Sequence, residues 1–169
     1  MTTPTPWLDQ PQLASWVRTV AVMELLPAAL DAQLRRDSNL TMFEYQVLAM
    51  LSEPADRTLQ ISALAQRTSS KLTRMSHLLT RLADRGLIER QASTTDARVT
   101  YAHLTDAGYA LLVEAAPGHV RQVRENFIDV LSREQLAQLG EISDAILGKI
   151  DPDGLVHARP GAGTLGRPE

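Results

Sequence analysis

Apolar residues early in the chain recur at helical spacing. Leu13, Trp16, Val17, Val20, Met23, Leu26, Leu30 and Leu34 follow one another at intervals of one, three and four, which predicts a long amphipathic helix over residues 9–36. Pro27 lies inside it and removes one backbone donor, so a kink is expected there. Thr41 and Glu44 have capping-box spacing and open a second helix through Tyr45, Val47, Leu48 and Leu51, stopping at Glu53-Pro54. Leu59-Gln60-Ile61 reads as a short strand. Ser62 is expected to cap a short helix over 63–67, and Ser70, after a polar break, a further helix over 71–85. Gly86 ends that helix in a left-handed conformation.

Residues 87–91 and 99–103 alternate in the manner of a hairpin whose polar tip is 92–98. Thr105 caps a helix that runs towards Val130 with an expected interruption at Pro117-Gly118. Ser132 and Gln135 form another capping box, before a last helix through Leu136, Leu139, Ile142, Ile146 and Ile150. Residues 151–169 hold four glycines and three prolines without periodicity and are expected to be disordered, as is the proline-bearing stretch 1–8.

Composition narrows the class. Hydrophobic residues make up 44% and aromatics 4% of the 169-residue chain, a Leu- and Ala-rich mixture that suits packed helices better than a β-sandwich. No uninterrupted run of about 18 apolar residues is present, so no membrane span is expected. The N-terminus has no basic flank leading into an apolar core, so no signal peptide is read there, and a cytoplasmic location is the default. Cysteine is absent, which excludes disulfides, thiolate metal sites and a thiol switch.

Charge changes the picture more. The chain carries a net −3, yet residues 64–100 hold seven bases against three acids. That segment is therefore +4 and the rest −7, a basic module on an acidic body. On the helix over 71–85, Arg74, His77, Arg81 and Arg85 fall in a stripe roughly 80° wide. Leu72, Met75, Leu78, Leu79 and Leu82 form the opposite face, expected to be buried. A basic stripe is usually only a solvated surface. Here it lacks interleaved acids and follows a short helix and a polar turn, the arrangement in which a second helix enters a DNA major groove.

Lys71, Thr73, Arg74 and His77 then reach base edges, and Arg81 and Arg85 reach phosphates. Ser62 and Ser70, at helix starts, offer donors to phosphates, with plain capping as the alternative for Ser70. Arg90 on the hairpin joins this DNA-facing set. At the hairpin tip Arg98 suits a minor groove, and Asp96 orients it or caps the turn.

Leu64-Ala65-Gln66-Arg67, the run from Leu78 to Arg90 (LLTRLADRGLIER), and Asp96-x-Arg98 followed by Leu104-Thr105-x-x-Gly108 resemble the MarR family of bacterial transcription regulators. The likeness extends over about 16–150, including Leu40-Thr41-x-x-Glu44-Tyr45-x-Val47-Leu48. In the helix-turn-helix turn, where members commonly have Gly-Leu-Ser, this chain has Ser69-Ser70-Lys71. The resemblance implies a mainly α protein with a winged helix-turn-helix domain (three-helix core plus β-hairpin wing) over 37–105. It also implies an N-terminal dimerisation helix over 9–36 and C-terminal dimerisation helices over 106–150. Further, it implies a homodimeric repressor on a pseudo-palindromic operator, with double-stranded DNA as partner. Long apolar stripes that a monomer this small would struggle to bury independently favour the dimer.

Relatives of this type often release DNA on binding a small aromatic acid or phenol. Trp16, Met23, Phe43 and Tyr45 are the candidate lining of such a pocket, with Arg18 or Arg35 meeting a carboxylate, although plain core is the commoner fate of such residues. Metal and cofactor are not expected, because His77, His103, His119 and His157 are dispersed without ligand spacing. No phosphate loop, G-x-S-x-G or H-E-x-x-H motif is present, so an enzyme is not expected. The alternative from another class is a winged-helix module that binds protein through the same face.

Overall fold

The computed structural model describes residues 5–96 and 98–156. Helix α1 (Gln10–Ser38) begins at a capping box in which Asp9 accepts from the Gln12 N–H and the Gln12 side chain accepts from the Asp9 N–H. It runs on through Pro27 and ends at Asn39, whose left-handed backbone (φ 51°) closes the last turn. Helix α2 (Met42–Ser52) starts at the Thr41–Glu44 capping box and is buried over nearly its whole length. Strand β1 (Thr58–Gln60) leads into α3 (Ile61–Arg67), then α4 (Leu72–Asp84), β2 (Ile88–Ala92), β3 (Thr100–Leu104), α5 (Asp106–Val123) and α6 (Arg133–Ile150). A π-helical turn, Arg124–Ile128, extends the end of α5.

The sheet has the order β1-β3-β2 and is antiparallel throughout. Ile88 pairs with Leu104 and Ala92 with Thr100 in the hairpin, while Thr58 pairs with His103 on the other side. A single core of Leu48, Leu51, Leu64, Met75, Leu79, Leu82, Ile88 and Leu104, with their neighbours, joins α2, α3, α4 and the hairpin. Gly86 (φ +70°) turns the chain from α4 into β2, as its position predicts. At the far end of the hairpin, the Thr105 hydroxyl donates to the Gly86 carbonyl (2.8 Å) and accepts from the Gly108 N–H (3.0 Å). A Cβ built on Gly108 would sit 2.1 Å from the Leu87 carbonyl oxygen, so only glycine fits where α5 crosses the β2 entry.

Several expectations need correction. Ser62 and Ser70 are not helix caps: α3 is preceded by Gln60 and α4 by Lys71, neither with a side-chain cap. The interruption expected at Pro117-Gly118 is absent, since α5 continues through it with Ala115, Ala116 and His119 buried, and the irregularity falls later, in the π turn. Leu72 is 56% exposed although its register places it with the buried face, because it is the first residue of α4 and extends past the cover of the core. The tail begins with an ordered turn in which the Asp151 carboxylate accepts from the Leu155 and Val156 N–H groups (3.0 Å each); residues 157–169 and 1–4 lie outside the described residues.

Helix α1 lies against α5 and α2 through its second half, where Leu30, Gln33 and Leu34 are buried. Its first half exposes Leu13, Trp16, Val17, Val22, Met23 and Leu25. By length and mean hydropathy (1.4 over 18 residues) α1 is apolar enough to cross a membrane, although Arg18 and Glu24 interrupt its apolar sequence. Helix α6 buries no residue and exposes Ile142, Ile146, Leu147 and Ile150.

Candidate nucleic-acid interface

The amphipathic register of α4 sets the site. Met75, Leu78, Leu79 and Leu82 are buried, and this orientation leaves Thr73, Arg74, His77 and Arg81 facing outward, with Lys71 exposed just before the first turn. The turn between α3 and α4 is made by Ser69, which takes a left-handed backbone (φ 47°), and by the Ser70 N–H donating to the Ala65 carbonyl (2.8 Å). The Ser70 hydroxyl is half-buried and accepts from the Thr68 hydroxyl (3.0 Å), so it serves the turn. Ser62 is exposed on the first turn of α3.

The wing supplies the second half of the site. Asp96 accepts from the Arg98 N–H (3.0 Å) and from its guanidinium at Nε and Nη2 (3.2 Å each). Those hydrogen bonds from Arg98 hold the Asp96 carboxyl below the usual carboxylate range. The Arg98 side chain is nevertheless 91% exposed, aimed but not covered. Arg90, on β2, lies across the flank of α4 and donates to Thr80 Oγ1 (3.2 Å). Ser62, Ser76, Arg90, Arg98 and the exposed Leu72 line one recess of about 150 Å³ between α3, α4 and the wing. Its two arginines and two serine hydroxyls suit a single phosphate group.

On the other flank of α4 a cleft of about 580 Å³ opens towards α1 and α2. Asp31 and Arg35 of α1, Phe43 of α2, and Arg74, His77 and Arg81 of α4 line it. The Arg74 guanidinium stacks on the Phe43 ring, 4.6 Å from its centroid. The structure thus places Phe43 and Arg35 together but separates them from the other expected pocket residues. Trp16, Arg18 and Met23 lie on the exposed first half of α1, and Arg18 lines grooves there. Tyr45 is buried beside His119, ring centroids 4.5 Å apart, and burial pushes its hydroxyl up and the imidazole down.

Sequence reasoning missed the role of Glu44 beyond its cap, where it sits beside Arg81 and Arg85. Its signal was present in Thr41-x-x-Glu44, which explains a glutamate or a glutamine equally well. Arg85, expected at phosphates, donates to the Asn39 carbonyl at the end of α1 (3.0 Å). Among the described residues no group of three or more His, Asp or Glu has metal-binding geometry.

A three-helix core with a three-stranded sheet, a basic second helix and an arginine-bearing wing defines a winged helix-turn-helix protein. A sequence model of the MarR family matches residues 40–100. Over 100 residues the chain is 34% identical to the HTH-type transcriptional regulator MhqR of Bacillus subtilis, covering 59% of this chain and 66% of that regulator. The structure is similar to that of Sco3205, a MarR family transcriptional regulator from Streptomyces coelicolor in complex with DNA. The TM-score is 0.82 and the identity 33%, over 90% of this chain and 99% of that one. It is also similar to AbsC, a MarR family regulator from the same organism, with TM-score 0.79 and 34% identity over 88% of this chain and 97% of that one. The chain belongs to the MarR family of transcription regulators, which are DNA-binding proteins and not enzymes.

Proposed function

We propose that the protein is a homodimeric repressor that binds a pseudo-palindromic operator in the cytoplasm and leaves it when a small aromatic acid or phenol binds. The observation that carries this reading is the joint display of α4 and Arg98 on one side of the lobe. Lys71, Thr73, Arg74 and His77 address the major-groove edges of the bases. Arg98 enters the adjacent minor groove, where negative potential is concentrated, held in direction by Asp96. Ser62, Arg81 and Arg90 contact phosphates.

The second copy of the chain covers the apolar first half of α1 and the apolar side of α6. Those faces are too extensive to leave in water, and the groove between them, lined by Val22, Leu25, Phe127 and Leu139, continues the same surface. Two-fold symmetry then sets half-sites about 34–36 Å apart. The effector occupies the cleft on the α1 side of α4. Phe43 offers a ring face, and Arg35, Arg74 and Arg81 offer cations for a carboxylate or phenolate, in a volume of ordinary ligand-site size.

Selection of bound fragments from the source genome, followed by binding titrations, tests the reading. Arg98→Ala should weaken binding to operator and scrambled duplex alike, roughly tenfold at low salt, and reduce the salt slope by about one. Unchanged affinity removes the wing from the interface. A wild-type protein that selects no DNA, with binding to a protein partner insensitive to salt, replaces this reading with an interaction module.

A further inference from the structure

Glu44 is the one buried carboxylate among the described residues, 6% exposed. Its Oε2 accepts from the Thr41 N–H (2.8 Å), which closes the capping box of α2. A capping box works equally with glutamine, and a neutral amide there avoids the cost of removing a charge from water. A carboxylate at this depth therefore needs its cations. They come from α4 and the residue that caps its end: Arg81 Nε lies 3.9 Å from Oε1, and Arg85 Nη1 3.8 Å from Oε2. Arg85 is itself bound at its other end, donating through Nη2 to the Asn39 carbonyl, where α1 stops in its left-handed residue. One carboxylate and one guanidinium thus join the end of α1, the start of α2 and the last turns of α4.

We propose that Glu44 is a positioning residue for DNA recognition. By pairing with Arg85 at the start of α2, it sets the angle at which α4 leaves the end of α1, while Arg81, 60% exposed, is only partly neutralised and keeps its reach to phosphate. It also withholds part of the positive charge of α4 from indiscriminate phosphate binding. Selectivity for the operator then depends on a residue buried behind the recognition helix. The inference rests on α4 being the DNA-reading helix.

The test compares the full chain with Glu44→Gln, which preserves the cap and removes the charge, and with Asp84→Asn, which removes one exposed negative charge from the same helix. The probes are an operator duplex selected from genomic fragments and a scrambled duplex of the same length and composition, titrated over a salt series. For Glu44→Gln, binding to the scrambled duplex should strengthen, its salt slope should steepen by about one, and the operator-to-scrambled ratio should fall roughly fivefold or more. Asp84→Asn should leave the ratio within about twofold. Arg85→Met, which breaks the bridge to Asn39 and leaves Glu44 its cap and Arg81, should lower the ratio without steepening the slope. Arg85→Met keeps the test decisive if Glu44→Gln does not fold. A ratio and slope unchanged in Glu44→Gln, equal to those of Asp84→Asn, or a ratio unchanged in Arg85→Met, overturns the proposal. Failure of the wild-type protein to distinguish the duplexes instead overturns the reading of α4 on which it rests.

Discussion

Ser69 carries a left-handed backbone (φ 47°) that a Cβ disfavours, at the turn where family members commonly have glycine. Ser69→Gly is expected to stabilise the protein by about 0.5–1 kcal/mol, because relief of the left-handed strain exceeds the added freedom of the unfolded chain. Thermal unfolding checks this, and a lower Tm would show that the serine contributes more than its backbone costs. A second residue-scale effect lies at His119, whose Nδ1 is buried beside Tyr45 with no hydrogen-bond partner among the described residues. Tyr45 of α2 lies against the ring, and Gln33 and Asp37 of α1, joined by a hydrogen bond, lie against the neighbouring Gly118. Burial holds the imidazole below its ordinary pKa of 6.5, so the unfolded chain takes up a proton more readily than the folded one. The stability that follows is complete above about pH 6.5 and declines as pH falls below it. A Tm that drops between pH 7.5 and 5.5 in the wild type, and drops less in His119→Gln, is the expected result. Parallel profiles would assign the loss elsewhere than His119; the lowered carboxyls of Asp31 and Asp37 lose their contribution only as pH falls into and below the carboxylate range, under this window.

At the scale of elements, the helices were legible wherever a capping side chain and an apolar period agreed. Thr41 with Glu44, Ser132 with Gln135, Thr105, and Gly86 each mark an end that the structure keeps within a residue or so. Ser62 and Ser70 misled because serine suits caps and turns alike, and at Ser70 the turn won. The exposure of Leu72 was illegible because helical register says which residues share a face, not how far the facing layer extends. The π turn has no side-chain signature at all; Pro117 drew attention to the wrong place, and α5 carries it because the surrounding stretch packs on α1. The hairpin's attachment is sharply sequence-encoded. Gly108→Ala should cost about 2–3 kcal/mol, since the new methyl meets the Leu87 carbonyl and Leu104 with no room to give. That corresponds to a Tm roughly 5–10 °C lower, and a Tm within a degree of wild type would mean α5 can slide.

At the scale of the whole molecule, the basic module on an acidic body is a matter of sequence, whereas the partner of the apolar faces is not. Ile146, exposed on a helix that buries nothing, belongs to the surface assigned to the second copy. Ile146→Asp should convert the dimer to a monomer in sedimentation velocity. It should weaken operator binding by about a hundredfold or more, because two lobes no longer bind as one unit. A variant that remains dimeric places the interface elsewhere, on α1 or α5. The expected lining residues did not all meet, for a related reason: helical spacing cannot say that Trp16 lies on the exposed first half of α1 while Phe43, on α2, faces Asp31 and Arg35 of its second half across one cleft.

The Thr105 hydroxyl, which donates to the end of α4 and accepts from the first turn of α5, has a mechanical consequence. With Gly108 wedged against Leu87, the root of the wing, the foot of the recognition helix and the start of α5 share one rigid joint. The lobe therefore behaves as the head of a lever whose shaft is α5. In the proposed dimer, a small turn of that shaft would swing α4 and the wing together, keeping their mutual grip on one half-site while changing the distance to the other. On that reading, spacing between half-sites, rather than the reading of either one, would be the property most easily altered from outside the lobe.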